Sequence, residues 1–212
     1  MIDPRTLDPT KTIVVATGNA HKLTEIEAIL GAVPALEGLQ FVALGELGDF
    51  PDPEENGSDF YENALIKASE ALWATGLYMA VADDSGLCVD ALGGAPGIMS
   101  ARWAGEHGND EANNDKMLIE MADVPEDQRT ARFHSTVVFL TRDEDGELIR
   151  RGDGDVEGTI AYDRKGTNGF GYDPLFKITE LGGKRMAELE PEEKNAISHR
   201  FHALQDLASK LL

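Results

Sequence analysis

The order of hydrophobic patterns along this 212-residue chain constrains its fold more than any other feature. In the first half, short apolar runs at 13–16, 40–44 and 78–82 alternate with segments whose apolar residues recur at helical spacing. In the second half, residues 132–141 alternate apolar and polar side chains, and further strands follow without an intervening helix. This order predicts an α/β fold with a mixed central sheet flanked by helices, because an entirely parallel sheet needs a crossover helix between strands.

Individual residues mark where the predicted helices begin and end. The spacing of Asp59 and Glu62 is typical of a helix start, and Gly76 is placed to end that helix. Pro191 suits the first turn of a last helix, which is predicted to be a single element. Its apolar stripe is formed by Ile197, Phe201, Leu204, Leu207 and Leu211.

Two polar stretches are predicted to be turns. The sequence Asp83-Asp84-Ser85-Gly86 follows the third apolar run and predicts a turn at the end of a buried strand. The sequence Asp143-Glu144-Asp145-Gly146 predicts a hairpin that leads to a strand near 147–152, with another strand at 155–162.

The domain organisation follows from the absence of any internal repeat or low-complexity linker. Residues 1–12 are polar and contain two prolines, so we expect a flexible N-terminal arm. Residues 13–212 are expected to form one continuous domain, and any two lobes within it would share the sheet.

Charge and cysteine content exclude several classes of function. The chain has 39 acidic and 19 basic residues, a formal net charge of −20, so its surface repels nucleic-acid backbones. The single cysteine, Cys88, lies in an apolar segment and is expected to be a buried thiol. The longest apolar stretch, 71–82, is too short to span a membrane, and no secretory signal is visible. We therefore expect a cytoplasmic protein that binds neither nucleic acid nor membranes.

The first stretch that could carry chemistry is ATGNAHK, residues 16–22. Small residues between a strand and a helix allow backbone N–H groups to point at an anion, and Lys22 adds a positive charge. Taken alone, the stretch slightly favours an ordinary turn with Asn19 as the helix N-cap. No Walker A sequence and no dinucleotide fingerprint occurs in the chain.

The second stretch contains the adjacent carboxylates Asp83 and Asp84. Two neighbouring carboxylates become favourable when a hard cation binds protein and ligand oxygens together, and Mg²⁺ typically takes one or two of them. One such carboxylate could also accept a proton from an attacking water. The acidic pair Glu54-Glu55 could bring a further carboxylate to the same ion, although either residue alone is more typical of a solvated loop.

Two later stretches complete the set. Glycines interleave with Phe170 and Tyr172 in GTNGFGYDPLF, which predicts an aromatic face open to a flat ring, or alternatively a turn anchored in the core. Near the C-terminus, Lys194 and the pair His199-Arg200 bring positive charge and hydrogen-bond donors to the start of the last helix. A carboxylate cluster, basic groups and an aromatic surface together indicate a nucleotide site without a P-loop.

These motifs resemble one family. TGNAHK, ADDSGL with GGAPGIMSARWAG, GTNGFGYDPLF and EEKNAISHR occur in the order typical of the inosine triphosphate pyrophosphatase family, from about Ile13 to the C-terminus. The resemblance implies an elongated α/β fold with a substrate cleft between two lobes, usually as a homodimer. It also implies Mg²⁺-dependent cleavage of XTP, ITP and dITP to the monophosphate and pyrophosphate.

The resemblance also implies roles for individual residues. Asp84 is similar to the family's proton acceptor and metal ligand, and Glu55 to a second metal-site carboxylate. The implied substrate contacts are Thr17, Gly18, Asn19, Ala20, His21, Lys22, Lys67, Ser85, Phe170, Gly171, Tyr172, Asp173, Lys194, His199 and Arg200. Asn168 departs from the glycine expected in many relatives but leaves the Phe-Gly-Tyr-Asp run intact.

Three other interpretations fit part of the sequence. A pyrophosphatase of similar architecture could act on modified pyrimidine or ordinary nucleotides, although the Ser-His-Arg and Phe-Gly-Tyr-Asp runs favour purines. A nucleotide sensor that binds without turnover would have no need of a base beside its metal. An acidic structural protein would leave all four motifs unexplained.

Overall fold

The computed structural model describes residues 1–17, 20–51, 53–144 and 146–212, with only the backbone of residues 20 and 21. In this part of the chain, seven strands form one sheet in the order β2-β1-β3-β4-β5-β6-β7. They are β1 (Thr12–Val15), β2 (Gln40–Ala43), β3 (Met79–Val89), β4 (Thr130–Asp143), β5 (Gly146–Ile160), β6 (Phe176–Ile178) and β7 (Lys184–Arg185). β1 pairs in parallel with β2 and β3, whereas β6 is antiparallel to β5 and β7. The predicted α/β fold with a mixed sheet is confirmed.

The α-helices precede or follow these strands much as the periodicity predicts. They are α1 (Ala20–Leu30), α2 (Leu44–Leu47), α3 (Phe60–Thr75), α4 (Asp110–Glu120), α5 (Pro191–Ile197) and α6 (His199–Lys210). Asp59 caps α3 by accepting a hydrogen bond from the Glu62 amide, and Gly76 ends the helix in a left-handed conformation. The Glu62 side chain bonds the Ser58 amide and hydroxyl.

The predicted turn at Asp83-Asp84-Ser85-Gly86 is wrong, because all four residues lie inside β3. Aspartate, serine and glycine favour turns when judged by local propensity alone. β3, however, lies between β1 and β4 in the sheet, so pairing with its neighbours carries the strand through these residues to Val89.

The two strands predicted at 147–152 and 155–162 are one strand, β5. Gly152, which favours a break in the sequence pattern, has another role in the structure. A Cβ atom at this position would lie 2.2 Å from the Ala203 carbonyl oxygen, so glycine is what allows α6 to pack against the strand.

The prediction of a single last helix is also wrong, because the chain leaves helical conformation at Ser198 and forms two helices, α5 and α6. Ser198 has extended backbone angles (φ −69°, ψ 151°), and its hydroxyl accepts a hydrogen bond from the Phe201 amide. Ser198 therefore acts as the N-cap of a new helix, which the apolar stripe does not reveal.

The chain divides into two compact units. The first unit comprises Met1–Asp84, Thr136–Gly154 and His202–Leu212, and the second comprises Ser85–Ser135 and Asp155–Phe201. Within the first, the Ile2 amide donates to the Glu46 carbonyl (2.8 Å) and Leu7 packs on apolar side chains. The flexibility of the 1–12 arm, the 13–212 domain and a cleft between lobes stay predictions.

The first unit has two apolar clusters that receive alternate residues of the same strands. Ile13, Val15 and Val81 join a cluster with side chains of α1 and α6. Val14, Ala80 and Ala82 join a second cluster with Ala64, Ala68 and Leu72 of α3. Because successive strand residues point to opposite faces, the two clusters mark the α1 face and the α3 face of the sheet.

The second unit has one apolar cluster. Its strand residues include Leu87, Phe133 and Ile160, which pack with Met117 and Met121 and with Tyr172 and Leu175. None of the helices among the described residues combines the length and apolarity that crossing a membrane requires.

Candidate active site

Asp83 and Asp84 point to opposite faces of the sheet, since they are consecutive residues of β3. Asp83 follows the alternation of Val81, so it lies on the α1 face, where the Lys22 ammonium is 3.1 Å from its Oδ1. Asp84 follows the alternation of Ala82 on the α3 face, where Lys67 Nζ is 2.8 Å from its Oδ1. The pleat separates the two carboxylates, and each has its own lysine.

A carboxylate cluster, defined here as Glu55, Asn63, Lys67 and Asp84, forms on the α3 face. Asn63 and Lys67 are four residues apart on α3 and therefore share one side of the helix. Asn63 Nδ2 donates to Asp84 Oδ2 (3.2 Å), and the Lys67 ammonium lies 3.1 Å from Glu55 Oε1. One lysine thus contacts two carboxylates.

The loop before α3 is held against the same helix. The Gly57 amide donates to Asn63 Oδ1 (2.9 Å), so Asn63 links the loop that carries Glu55 to the Asp84 side chain. A Cβ atom at Gly57 would lie 2.7 Å from Asn63 Oδ1, so this close approach requires glycine.

Burial and ion pairing have opposite effects on the pKa values of Asp84 and Lys67. Burial raises the pKa of Asp84 above its ordinary value of 3.8, and the neighbouring Glu55 charge adds to this, while Lys67 and Asn63 oppose it. Burial alone would lower the pKa of Lys67, but the charges of Asp84, Asp83 and Glu55 outweigh it, so the pKa is raised. Lys67 therefore stays charged, and Asp84 is a better proton acceptor than an ordinary aspartate.

Two residues of the carboxylate cluster could be ligands of a magnesium ion. Mg²⁺ usually binds one or two protein carboxylates and takes its other ligands from water and substrate phosphates. Glu55 and Asp84, which contact the same ammonium, are two such carboxylates. Among the described residues, no group of three or more His, Cys, Asp or Glu side chains that could hold a metal ion is found.

The first predicted motif is only partly visible. Thr17 follows β1, and its carbonyl accepts a hydrogen bond from the Gly45 amide (3.3 Å). Gly18 and Asn19 lie outside the described residues, as do the side chains of Ala20 and His21, whose backbone begins α1. Lys22 is the motif residue that the structure links to another candidate, through its ion pair with Asp83.

An aromatic turn, residues 170–173, lies in the second unit. Phe170 is 68% exposed, whereas Tyr172 is buried in the core with its hydroxyl donating to the Ser100 carbonyl (2.9 Å). The open aromatic face predicted from the glycine pattern is therefore Phe170 alone. Burial, with the charge of Asp110, raises the pKa of Tyr172 far above its ordinary value. Phe176 is wholly buried, as the alternative of a core anchor predicts.

Asp173 and Lys194 hold this turn together. Asp173 Oδ2 accepts the Phe170 amide (2.9 Å) and the Lys194 ammonium (2.5 Å), and that ammonium also lies 4.3 Å from the centre of the Phe170 ring. A Cβ atom at Gly169 would lie 1.9 Å from Asp173 Oδ2, so only glycine fits there. Burial raises the pKa of Asp173, and the Lys194 charge opposes the rise.

The remaining candidates lie at the helix break and on β3. Lys194 is in the last turn of α5, where a positive charge suits the helix dipole, rather than near the start of one long helix as predicted. His199 opens α6, and its ring stacks on Phe133 with centroids 5.2 Å apart. Arg200 follows it and is half-buried, and Ser85 is a half-buried residue of β3 next to Asp84.

Sequence reasoning missed three residues that contact candidates. Asn63 bonds Asp84, and Asp110 and Asn114 of α4 both bond the backbone of Gly171. It singled out Asp83 but not the ion pair of Asp83 with Lys22. The spacing of Asn63 and Lys67 on one helical side was a usable signal. Nothing local in the sequence connects Asp110 and Asn114 with Gly171, which lies 61 and 57 residues further along the chain.

Comparison with known proteins assigns the chain to a family. A model of the Ham1 family matches residues 13–210. The dITP/XTP pyrophosphatase of Corynebacterium efficiens is 46% identical over 200 residues, covering 92% of this chain and 94% of that protein. The dITP/XTP pyrophosphatase of Pectobacterium atrosepticum is 49% identical over 199 residues, covering 94% and 97%.

Solved structures of Ham1 and dITP/XTP pyrophosphatase proteins are also similar to this chain. The Staphylococcus aureus Ham1 protein has a TM-score of 0.82 and 39% identity, covering 95% of this chain and 98% of that one. A nucleoside-triphosphatase / dITP/XTP pyrophosphatase from Mycobacterium abscessus has a TM-score of 0.75 and 42% identity, covering 95% and 97%. The chain belongs to the Ham1 family, which confirms the resemblance predicted from the four ordered motifs.

Proposed function

We propose that this protein hydrolyses the noncanonical purine nucleoside triphosphates XTP, ITP and dITP to the monophosphate and pyrophosphate, with Mg²⁺, and so removes them from the nucleotide pool. The observation that carries the proposal is the buried Asp84 carboxylate, held by Lys67 and Asn63 beside Glu55. The names of relatives that are 46% and 49% identical over nearly the whole chain support the same activity.

Asp84 is proposed as the general base. Burial raises the pKa of its carboxyl, which strengthens its ability to accept a proton from water at neutral pH. The water oxygen then attacks the α-phosphorus and forms a new P–O bond, the α–β phosphoanhydride bond breaks, and pyrophosphate leaves. Lys67, held charged between Asp84 and Glu55, is placed to offset negative charge on the phosphates.

Glu55 and Asp84 would hold the magnesium ion, which when bound neutralises charge on the phosphate oxygens. Lys22, from the 17–22 segment, is a second proposed phosphate contact, and its pairing with Asp83 holds its ammonium in place. The carboxylate that Lys22 contacts is on the opposite sheet face from Asp84, so the two lysines have different partners.

The aromatic turn is proposed to recognise the base. The exposed ring of Phe170 offers a stacking surface, and such contacts contribute about 1–3 kcal/mol per base. Donors from His199, Arg200 or loop amides would meet the 6-oxo group of hypoxanthine or xanthine. Adenine presents a 6-amino donor instead, and an unpaired buried donor costs about 1–3 kcal/mol.

Two further proposals come from the family resemblance: the protein works as a homodimer, and it works in the cytoplasm. Sedimentation equilibrium of the purified protein tests the first, since a mass of about twice 23.0 kDa is expected. Fractionation of cells that express the tagged protein tests the second.

Identification of the products tests the proposed function. Purified protein is incubated with ITP and Mg²⁺, and the products are separated by anion-exchange chromatography. IMP and pyrophosphate in equal amounts, with no reaction after EDTA, are expected. IDP and phosphate would contradict the proposed bond cleavage. Binding of ITP without any product would instead favour a nucleotide sensor.

A further inference from the structure

The start of α4 holds both backbone groups of one glycine in the aromatic turn. Asp110 Oδ2 accepts the Gly171 amide at 2.6 Å, and Asn114 Nδ2 donates to the Gly171 carbonyl at 2.8 Å. Asp110 and Asn114 are one helical turn apart, and Asn114 Nδ2 also donates to the Asp110 carbonyl (2.8 Å). One turn of helix therefore fixes the orientation of the peptide groups on both sides of Gly171.

The rest of the turn is held as firmly. The Phe170 amide is bound by Asp173, and the Tyr172 side chain is buried with its hydroxyl bonded to Ser100. Gly171 has φ +60°, a conformation that glycine adopts without strain. The result is an exposed phenylalanine whose own amide, both backbone groups of Gly171 and the Tyr172 side chain are hydrogen-bonded.

The two hydrogen bonds from α4 to the backbone of Gly171 are of a type that keeps the turn ordered. Asn114 is 2% exposed, so its amide cannot readily exchange Gly171 for water. The bond from the Gly171 amide to a carboxylate is short and charge-assisted, a type about twice as strong as a neutral hydrogen bond. A side chain on a backbone that is fixed in advance loses less conformational freedom when it binds a ligand.

We propose that Asp110 and Asn114 are positioning residues that fix the Phe170 ring for stacking on the purine base. This inference rests on the proposed function, because it assumes that the base is the ligand of that ring. Neither residue needs to contact the nucleotide. Their loss should weaken recognition of the base and leave recognition of the phosphates unchanged, since the carboxylate cluster has its own set of contacts.

The first test compares Asp110→Ala with Asp110→Asn. Alanine removes the acceptor for the Gly171 amide, whereas asparagine keeps an acceptor oxygen of the same size. We expect Asp110→Ala to raise KM for ITP roughly 10-fold with a smaller change in kcat, since a ring that is no longer held in position stacks less well on the base. Asp110→Asn should recover most of the loss. The inhibition constant of inorganic triphosphate, which has no base, should stay within about twofold of wild type.

Glu111→Ala is the matched control. Glu111 is the next acidic residue in the first turn of α4, and its carboxylate is exposed and pairs with Arg164. Its loss removes the same charge from the helix start without touching Gly171. KM for ITP should not change, so an equal rise in Glu111→Ala and Asp110→Ala would assign the effect to helix stability and overturn the proposal.

A double-mutant cycle with Phe170→Ala decides the matter. If Asp110 and Asn114 act through the ring, Asp110→Ala and Asn114→Ala should add no further rise in KM once the ring is gone. Fully additive effects would overturn the proposal. A wild-type protein that released no pyrophosphate would contradict the proposed function instead. The same cycle measured as Kd for ITP by calorimetry would then test the positioning role without turnover.

Discussion

Two buried aspartate–lysine pairs, one in each unit, have nearly the same local chemistry and different proposed roles. Asp84 pairs with Lys67 and Asp173 with Lys194, and in both cases burial raises the aspartate pKa while the lysine opposes the rise. The difference lies in their other partners. Asp173 also binds the Phe170 amide and closes a turn, whereas Asp84 binds the side chain of Asn63.

This comparison shows that the ion pair alone does not reveal the role of a buried carboxylate. A carboxylate bound to its own backbone turn cannot be moved without reshaping the chain. One bound to side chains can exchange a partner for water, metal or substrate without moving the backbone. Lys67 is further shared with Glu55, so the first pair belongs to a cluster with a second carboxylate, whereas within the described part of the chain Lys194 forms an ion pair with Asp173 alone.

The comparison is tested most strongly by Asp84→Asn, which keeps the shape of the side chain and removes its basicity. We expect kcat for ITP to fall roughly 10²- to 10⁴-fold, the contribution usual for general base catalysis. Circular dichroism should show an unchanged fold.

Asp83→Asn is the matched neighbour for this experiment. Asp83 faces Lys22 on the other side of the sheet, so its loss should act on phosphate binding and raise KM more than it lowers kcat. Near-normal turnover in Asp84→Asn, or an equal loss of kcat in both variants, would show that Asp83 and Asp84 do not have different catalytic roles although they lie on opposite faces of the sheet.

The second pair should respond to Asp173→Ala mainly through stability. This change leaves the Lys194 ammonium and the Phe170 amide without their acceptor in a buried place. Removing one partner of a buried pair typically costs about 3–5 kcal/mol, which urea unfolding would measure. A variant of wild-type stability would place Asp173 in the same class as Asp84 and break the comparison.

Replacing Phe170 also tests the comparison, because the Asp173–Lys194 pair holds the turn that carries this exposed ring. Phe170→Ala should raise KM for ITP roughly 10-fold, as expected for loss of one base–aromatic stack, with little effect on stability since the ring is 68% exposed. Phe170→Tyr should keep the wild-type KM. Steady-state kinetics with both variants would measure this, and an unchanged KM in Phe170→Ala would remove the ring from the site.

The smallest expected effect is a gain in stability. Folding raises the Asp84 pKa above 3.8, so keeping this carboxyl ionised at neutral pH lowers the free energy of unfolding. Below pH 3.8 the carboxyl is protonated in both the folded and the unfolded chain, and this loss of stability disappears. In buffer with EDTA, Asp84→Asn should therefore melt at a slightly higher temperature than wild type at pH 7. The difference should disappear as the pH falls towards 3.8. A lower melting temperature at pH 7 would mean that the Lys67 pair stabilises the fold.

The sequence predicts local features of this fold well where one residue type has one structural use. The N-cap Asp59, the left-handed Gly76 and the hairpin limits at Asp143 and Gly146 follow from such signals. Residues 83–86 in β3 and Gly152 in β5 go against their local propensity, because sheet pairing in the first case and the close approach of α6 in the second decide their conformation. The helix break at Ser198 was missed because an apolar stripe continues across it.

For the site, the sequence indicates which residues carry chemistry but not which face of the sheet each one is on or which residues each one contacts. The placement of Asp83 and Asp84 on opposite faces depends on the strand continuing, which local propensity argues against. The bonds from Asp110 and Asn114 to Gly171 join positions about sixty residues apart, so they depend on the tertiary structure. Four ordered motifs nevertheless were enough to predict the family.

Substrate preference is the measurement that tests the central claim most directly. Pyrophosphate release by the wild-type protein with Mg²⁺ is measured as kcat/KM for XTP, ITP, dITP, ATP and GTP under one set of conditions. The proposed function predicts rapid release from the first three and little from ATP and GTP. Equal rates with ATP or GTP would contradict selection for noncanonical purines, even if Asp84 proved to be the base.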